Sequence, residues 1–382
     1  MLSSGQQPIY DPAKTYAENF DHGPFGEFAL PIPYHDKGRP QFNFFGRPMF
    51  SPFGIAAGPL LNAKYVIAAL NKGFDLVTYK TQRTVAFEVN PFPNVLAVDV
   101  DGDLTLDQAK KPLVAHAVGD DPDLSRLTIT NSFAVPSRGP EFWMPDYARC
   151  LAAVKRGQMV IMSVQGTIQP GFSTEDYYND FAEAVKLAVQ AGAPAIEINL
   201  SCPNVSGEGV LCYSPGAVTD IVRRCRTAAG KTPLIIKLGY YAPDQQELLE
   251  TIMRAVAPLV AAVAAVNTIP GSVVTPDGEP ALPGRDRTGL CGAGIKWAGL
   301  DMTRRLAELR ERLGLRFAII GIGGVMNPAD YQAYRDAGAD MVQAATAVIW
   351  NPELAIDVKS LMPRPKNIQG SHHGSRTRFK KK

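Results

Sequence analysis

From residue 52 onward, short apolar runs recur along the chain, each followed by a polar or periodic stretch. They fall at 53–57, 76–80, 160–165, 195–200, 234–238, 262–267, 317–321 and 341–345. Their apolar residues are consecutive, not alternating, as required of strands covered by helices on both faces. Helical periodicity appears between them. Val218, Ile221, Val222 and Cys225 stand at i, i+3, i+4 and i+7, and Leu306, Leu309 and Leu313 repeat the pattern. The stretch 174–192 ends in Gly192, a natural helix stop. Eight strands, seven of them leading into a helix, predict an α/β fold of the (β/α)8 TIM-barrel type. The barrel takes residues 51–362, with an N-terminal extension over 1–50 and a tail over 363–382. Two long loops follow strands 2 and 6. The first, 81–145, carries a hairpin signal at Asp101-Gly102, between 98–100 and Leu104. The second, 269–293, is rich in Gly and Pro. An open doubly wound sheet would want a GxGxxG turn after its first strand, and 54–58 reads Gly-Ile-Ala-Ala-Gly.

Composition narrows the class. With 46% hydrophobic and 20% charged residues in 382, the chain is neither disordered nor fibrous. The net charge of +2 is unevenly placed. Residues 363–382 hold seven Lys and Arg and no acid, leaving 32 basic against 37 acidic residues elsewhere. The basic balance belongs to a tail, which reads as a solvated end, and the body is not a nucleic-acid binder. The longest apolar run, from Leu259 to Ile269, is too short to span a bilayer. No N-terminal signal is visible, so the expected address is the cytoplasm. Five cysteines without CxxC spacing argue against a disulfide framework, a zinc site or an iron–sulfur cluster.

Candidate chemistry gathers at the C-terminal ends of the expected strands, where barrels build active sites. Lys80, Gln165, Asn199, Lys237, Asn267 and the glycine turn 321–324 all stand there. Any one Asn would be an ordinary turn former; six polar features at equivalent places are harder to dismiss. An unpaired buried ammonium costs several kcal/mol. Lys80 and Lys237 facing one cavity therefore ask for an anion or an electron-rich ring. Gly323-Gly324 after the seventh strand and Ala345-Thr346 after the eighth occupy the usual barrel phosphate position. The run Asn199-Leu200-Ser201-Cys202-Pro203-Asn204 sets two amides around one thiol. Amides both donate and accept, which suits a ring of alternating N–H and C=O groups. The thiol can act as base or nucleophile. No histidine lies in a strand-end motif, which favours acid–base work over thiol hydrolysis.

These residues resemble the class 1 dihydroorotate dehydrogenases, soluble FMN barrels of pyrimidine biosynthesis, over roughly 50–362. The related dihydropyrimidine dehydrogenase barrel shares the 199–204 motif. The segments 131–136 (Asn-Ser-Phe-Ala-Val-Pro) and 265–268 (Ala-Val-Asn-Thr) look like further family motifs. The resemblance implies that Asn131, Ser132, Asn199, Asn204, Asn267, Thr268 and Lys80 hold substrate. FMN would be surrounded by Ala57, Gly58, Lys80, Thr81, Asn199, Lys237, Val266 and Gly292. Its phosphate would rest on Gly323, Gly324, Ala345 and Thr346. Lys237 would face the pyrimidine edge of the flavin, and Cys202 would take the C5 proton of dihydroorotate. Membrane-bound relatives carry Ser at the position of Cys202 and an N-terminal membrane helix, so Cys202 and the polar N-terminus both fit the soluble class. Three features depart from the family: the long stretch 81–130, Ala345 where the family has Gly, and the basic tail 363–382, which has no counterpart.

The implied function is FMN-dependent oxidation of (S)-dihydroorotate to orotate. Two alternatives stand: an oxidoreductase of another dihydropyrimidine, such as dihydrouracil, and a non-flavin phosphate-binding barrel with Lys237 as Schiff-base former. Fumarate, a quinone, oxygen and NAD all remain open as electron acceptors, and an NAD route needs a separate electron-transfer subunit. Soluble relatives are often homodimers.

Overall fold

The computed structural model describes residues 7–201 and 211–362, so Cys202, Asn204 and the tail 363–382 lie outside the described residues. Eight parallel strands close into a barrel: Phe53–Ile55, Leu76–Gln82, Met159–Val164, Ile196–Asn199, Leu234–Leu238, Ala262–Ala265, Ala318–Ile322 and Met341–Ala344. Each pairs with its neighbour in sequence order, and the eighth closes on the first. The expected (β/α)8 architecture is the one observed, with strand ends shifted by at most two residues.

Side-chain parity sorts the barrel interior into layers. At the N-terminal end, Leu76, Met159, Ile161, Ala195, Ile235 and Ala262 form an apolar plug with Phe44 and Met49. The last two come from a hairpin, Phe42–Phe44 with Arg47–Met49, in the N-terminal extension. The extension therefore caps the bottom of the barrel. Above the plug lies a buried polar layer. Gln343 Nε2 donates to Thr78 Oγ1 at 3.0 Å, and Ser163 Oγ donates to Glu197 Oε1 at 2.9 Å. Higher still, strand-end side chains enter the barrel mouth.

The two expected long loops are not loops. Strands Ala97–Val98, Pro112–His116 and Thr128–Asn131 from the first insertion join Ile269–Val274 and Thr288–Gly292 from the second in one closed five-stranded sheet. The expected tight hairpin at Asp101-Gly102 is also corrected. The partner of Ala97–Val98 is Pro112–His116, beyond a short helix, Leu106–Ala109. Thr105 caps that helix through its hydroxyl, with Gln108 returning the bond, and this local helix displaces the return strand. The sheet stands over the barrel mouth and carries residues down into it.

Candidate active site

A cavity lies at the C-terminal end of the barrel, where barrels build their active sites. Its wall includes Ala57, Gly58, Lys80, Thr81, Asn131, Asn199, Lys237, Asn267, Ala345 and Thr346 among the expected residues.

Lys80 and Thr81 are adjacent in one strand, yet both line the cavity. The register explains this. Tyr79 pairs with Met162 and Gln82 with Val164, so the second strand holds one extra residue against the third. Such a bulge re-aims side chains. Thr81 Oγ1 then reaches Ser163 Oγ at 2.9 Å inside the barrel, and Lys80 Nζ stands 5.6 Å from the Phe133 ring centre. Tyr16, on the N-terminal helix Tyr16–His22, approaches the same ammonium at 6.0 Å.

The amides form a chain. Asn199 Nδ2 donates to Gln165 Oε1 at 3.0 Å. Asn267 Nδ2 is shared among Asn199 Oδ1 at 3.3 Å, the Ser201 carbonyl at 3.1 Å and Ser201 Oγ at 3.2 Å. Asn199 is fixed across from Lys237 by register. Lys237 is 4% exposed and has no hydrogen-bond or ion-pair partner among the described residues. Ser201 immediately precedes Cys202, so the chain leaves this amide cluster as it enters the undescribed segment.

Other expected residues lie behind the wall. Ser132 and Thr268 are buried, and their hydroxyls find no partner among the described residues. Val266 is packed in the core and donates its amide to the Ile322 carbonyl at 2.7 Å. Gly292 has φ = +105°, and a Cβ there would stand 2.2 Å from the Leu127 carbonyl oxygen, so glycine is required by packing. Gly323 and Gly324 adopt φ = +123° and +61°, and a Cβ on Gly324 would meet the Lys296 backbone at 2.7 Å. Gly58 also has a positive φ, +149°, but a Cβ there would meet no atom within 4 Å, and the residue lines the open cavity.

Several wall residues were not anticipated. Tyr10 reaches in from the N-terminal extension, and Phe133, Ala134 and Val135 from the turn after Asn131. Cys291 is brought in by the small sheet, where it pairs with Ile129. Its thiol accepts a hydrogen bond from Thr346 Oγ1 at 3.6 Å, and burial pushes its pKa up to about 11, so it stays protonated at neutral pH. Only the 131–136 motif among these carried a sequence signal.

A ring-shaped, electron-rich ligand with an acidic group fits this donor set. Two ammonium groups and a row of amides converge, aromatic and aliphatic walls enclose them, and one glycine keeps the floor open. The comparisons agree with that chemistry. The profile of the family described as dihydroorotate dehydrogenase matches residues 113–362. The dihydroorotate dehydrogenase of Dictyostelium discoideum is 35% identical over 359 residues, 92% of this chain and 96% of that protein. The catalytic subunit of dihydroorotate dehydrogenase B (NAD(+)) from Trichlorobacter lovleyi is 31% identical over 186 residues, 48% of this chain and 58% of that subunit. The corresponding subunit of Geobacter sulfurreducens is 30% identical over 193 residues, 50% of this chain and 60% of the subunit. The Dictyostelium match covers too much of the chain to be a shared barrel alone, and we conclude that this protein belongs to the dihydroorotate dehydrogenase family, oxidoreductases that act on CH–CH donors.

Proposed function

We propose that the protein oxidises (S)-dihydroorotate to orotate in pyrimidine biosynthesis, as a soluble, cytoplasmic class 1 enzyme that uses FMN. The observation that carries this reading is the convergence of Lys80, Lys237, Asn131, Asn199 and Asn267 on one cavity at the barrel mouth. No helix among the described residues is long and apolar enough to cross a membrane.

The residues fit FMN on three counts. Lys237 is buried without a hydrogen-bond or ion-pair partner among the described residues, Gly58 leaves room where a side chain would intrude, and Ala345 and Thr346 close the wall after the eighth strand. FMN, when bound, supplies the two-electron acceptor for the hydrogen leaving C6 of the substrate. Lys237 holds positive charge in the cavity where electron density increases. Asn131, Asn199, Asn267 and, from the undescribed segment, Asn204 orient the substrate's alternating N–H and C=O groups. Ser132 and Thr268 support them from behind, and Lys80 answers the carboxylate. Cys202 takes the C5 proton, and the C5–H electron pair becomes the second bond between C5 and C6.

The test is anaerobic stopped-flow reduction of the bound flavin by dihydroorotate across pH. A thiol ionises near pH ~8.5 unless its site shifts it, so the rate should rise with pH through a single ionisation. Cys202→Ala should reduce its flavin about 10²–10⁴-fold more slowly while still binding FMN and orotate. Cys202→Ser should keep part of the rate, moved to higher pH. A wild-type rate in Cys202→Ala removes the assignment of the base, and a colourless holoprotein removes the cofactor.

A further inference from the structure

Arg83 is a large, charged side chain that the proposed chemistry does not use, yet it is 1% exposed. It follows the bulge that delivers Lys80 and Thr81 to the cavity. Its guanidinium spans two loops. Nε donates to the Val135 carbonyl at 2.9 Å and Nη2 to the Ala134 carbonyl at 3.1 Å. Nη1 donates to the Gly166 carbonyl at 3.0 Å and to Thr167 Oγ1 at 3.1 Å. The Phe87 ring covers its face at 4.0 Å. Its own backbone is held as well: the Trp143 indole donates to its carbonyl at 3.1 Å, and its amide donates to Ser137 Oγ at 3.3 Å. On the following helix, Thr174–Gln190, Asp180 accepts from the Thr167 amide at 2.7 Å; burial raises its pKa, and Thr84, Thr167 and Arg83 oppose that rise.

The two carbonyls it holds are unusual. Ala134 and Val135 have φ = +64° and +57°, in the left-handed region that a β-branched residue seldom enters. Such a turn persists only where its surroundings fix it. Here it turns two successive carbonyls toward the guanidinium and leaves Phe133, Ala134 and Val135 on the cavity wall with Asn131. Phe133 is the ring beside Lys80.

We propose that Arg83 is a positioning residue for the substrate side of this cavity. It holds the Ala134–Val135 turn in its left-handed form and so sets Asn131 and Phe133 against the ligand. A lysine could not replace it. An ammonium gathers its donors on one atom, whereas the guanidinium spreads five donors in a rigid fork whose Nε, Nη1 and Nη2 reach four acceptors on the two loops.

This inference rests on the reading of the cavity as the dihydroorotate site, so the test combines a ligand readout with one that needs no ligand. Arg83→Lys holoprotein is titrated with orotate and followed by the flavin spectrum. The expected result is an orotate Kd raised about 10-fold or more, with flavin content and kcat much less affected, since the displaced groups lie on the substrate side. Adding Val135→Gly removes the steric objection to positive φ, and R83K/V135G should recover at least about 3-fold of that affinity. Amide hydrogen exchange over 129–137 should rise in R83K more than in the rest of the barrel and fall again in R83K/V135G. A double variant no better than R83K, or exchange no faster in that segment than elsewhere, overturns the proposal. If wild-type protein shows no orotate response, the substrate reading fails and the exchange result alone decides the role of Arg83. If R83K does not fold, Thr167→Val, which removes one anchor of the fork, is measured the same way; unchanged affinity and unchanged exchange in it overturn the proposal.

Discussion

Lys359→Met should destabilise the protein in a pH-dependent way, because one ammonium serves two carboxylates at the bottom of the barrel. Lys359 lies on the C-terminal helix Leu354–Ser360 and is 7% exposed. It reaches Asp36 of the N-terminal extension at 2.8 Å and the fully buried Asp75, just before the second strand, at 3.0 Å. Ser51 Oγ donates to Asp75 at 2.6 Å, and the rings of Tyr34 and Phe50 flank the ammonium at 5.3 and 5.8 Å. The cluster thus ties three distant parts of the chain together, but its two carboxylates exceed its one cation. Burial raises the Asp75 pKa from 3.8 to about 7 despite Lys359. Between those values the folded state binds more protons than the unfolded state, so this group's contribution is complete below pH 3.8 and lost as pH rises through 7. The span corresponds to about 4 kcal/mol at roughly 1.36 kcal/mol per pH unit. Removing the cation leaves Asp75 buried and uncompensated, at a cost of about 3–5 kcal/mol near pH 8. For 382 residues the unfolding entropy is roughly 0.8 kcal/mol/K, so Tm should fall by about 4–6 °C. At pH 5.5 Asp75 is protonated, and the loss should shrink toward about 1 kcal/mol. Thermal melts of the holoprotein at both pH values, with K359M and K359M/D75N, measure this. Equal losses at the two pH values, or no recovery on adding Asp75→Asn, would refute the reasoning.

Lys237→Ala should weaken flavin binding and lower the flavin reduction potential, measured by dye-coupled titration; an unchanged potential counts against a charge role. Gly58→Val places a β-branched side chain in the open cavity from a backbone at φ = +149°, which strains it, so it should cut the flavin-to-protein ratio at least about 10-fold and also lower the apoprotein Tm; a full flavin ratio would take Gly58 off the cofactor wall. Phosphate binding is better tested by Ala345→Asp than at Gly324, where any side chain meets the Lys296 backbone; retention of full flavin content in that variant would move the phosphate elsewhere. Cys291→Ala should leave the apparent pKa of flavin reduction in place, because a thiol pushed up to about 11 does not titrate in the assay range.

Strand parity made much of this site legible. Lys80, Asn199, Lys237 and Asn267 each interrupt or end an apolar run, and a closed parallel barrel brings such ends together wherever they fall in the sequence. No local pattern announces the rest. The bulge at Lys80–Thr81 shows only when two strands are aligned, so Lys80 could be placed at the mouth while its neighbour's inward turn could not. The small sheet depends on pairs such as Asn131 with Gly289 and Ser272 with Pro112, more than 150 residues apart. Pro270 and Gly271 hide the alternating burial of Ile269–Val274, and what read as a Gly/Pro loop is a strand. Glu197 is hidden differently: it stands inside the apolar run 195–200 with no pattern to mark it, yet it is buried in the barrel, where Ser163 donates to it.

The second insertion and the N-terminal extension bear on function through the same physical route. A barrel alone offers strand ends, which are few and far apart, and a ring-shaped ligand needs contacts over its second face as well. Tyr10 and Tyr16 come from the extension, Asn131 and Phe133 from the first insertion, and Cys291 from the second. Several are tied to other parts of the chain. The Ile9 amide donates to the Ile349 carbonyl at 2.8 Å, Asn131 pairs with Gly289, and Arg83 fixes the turn behind Phe133. The barrel strands place the cations and two of the amides, while the added segments shape the wall facing them. Substitutions in the strand ends should therefore act first on the flavin, and substitutions in the anchors of the added segments on ligand affinity. On this division Lys237 and Arg83, both buried and both cationic, have opposite phenotypes.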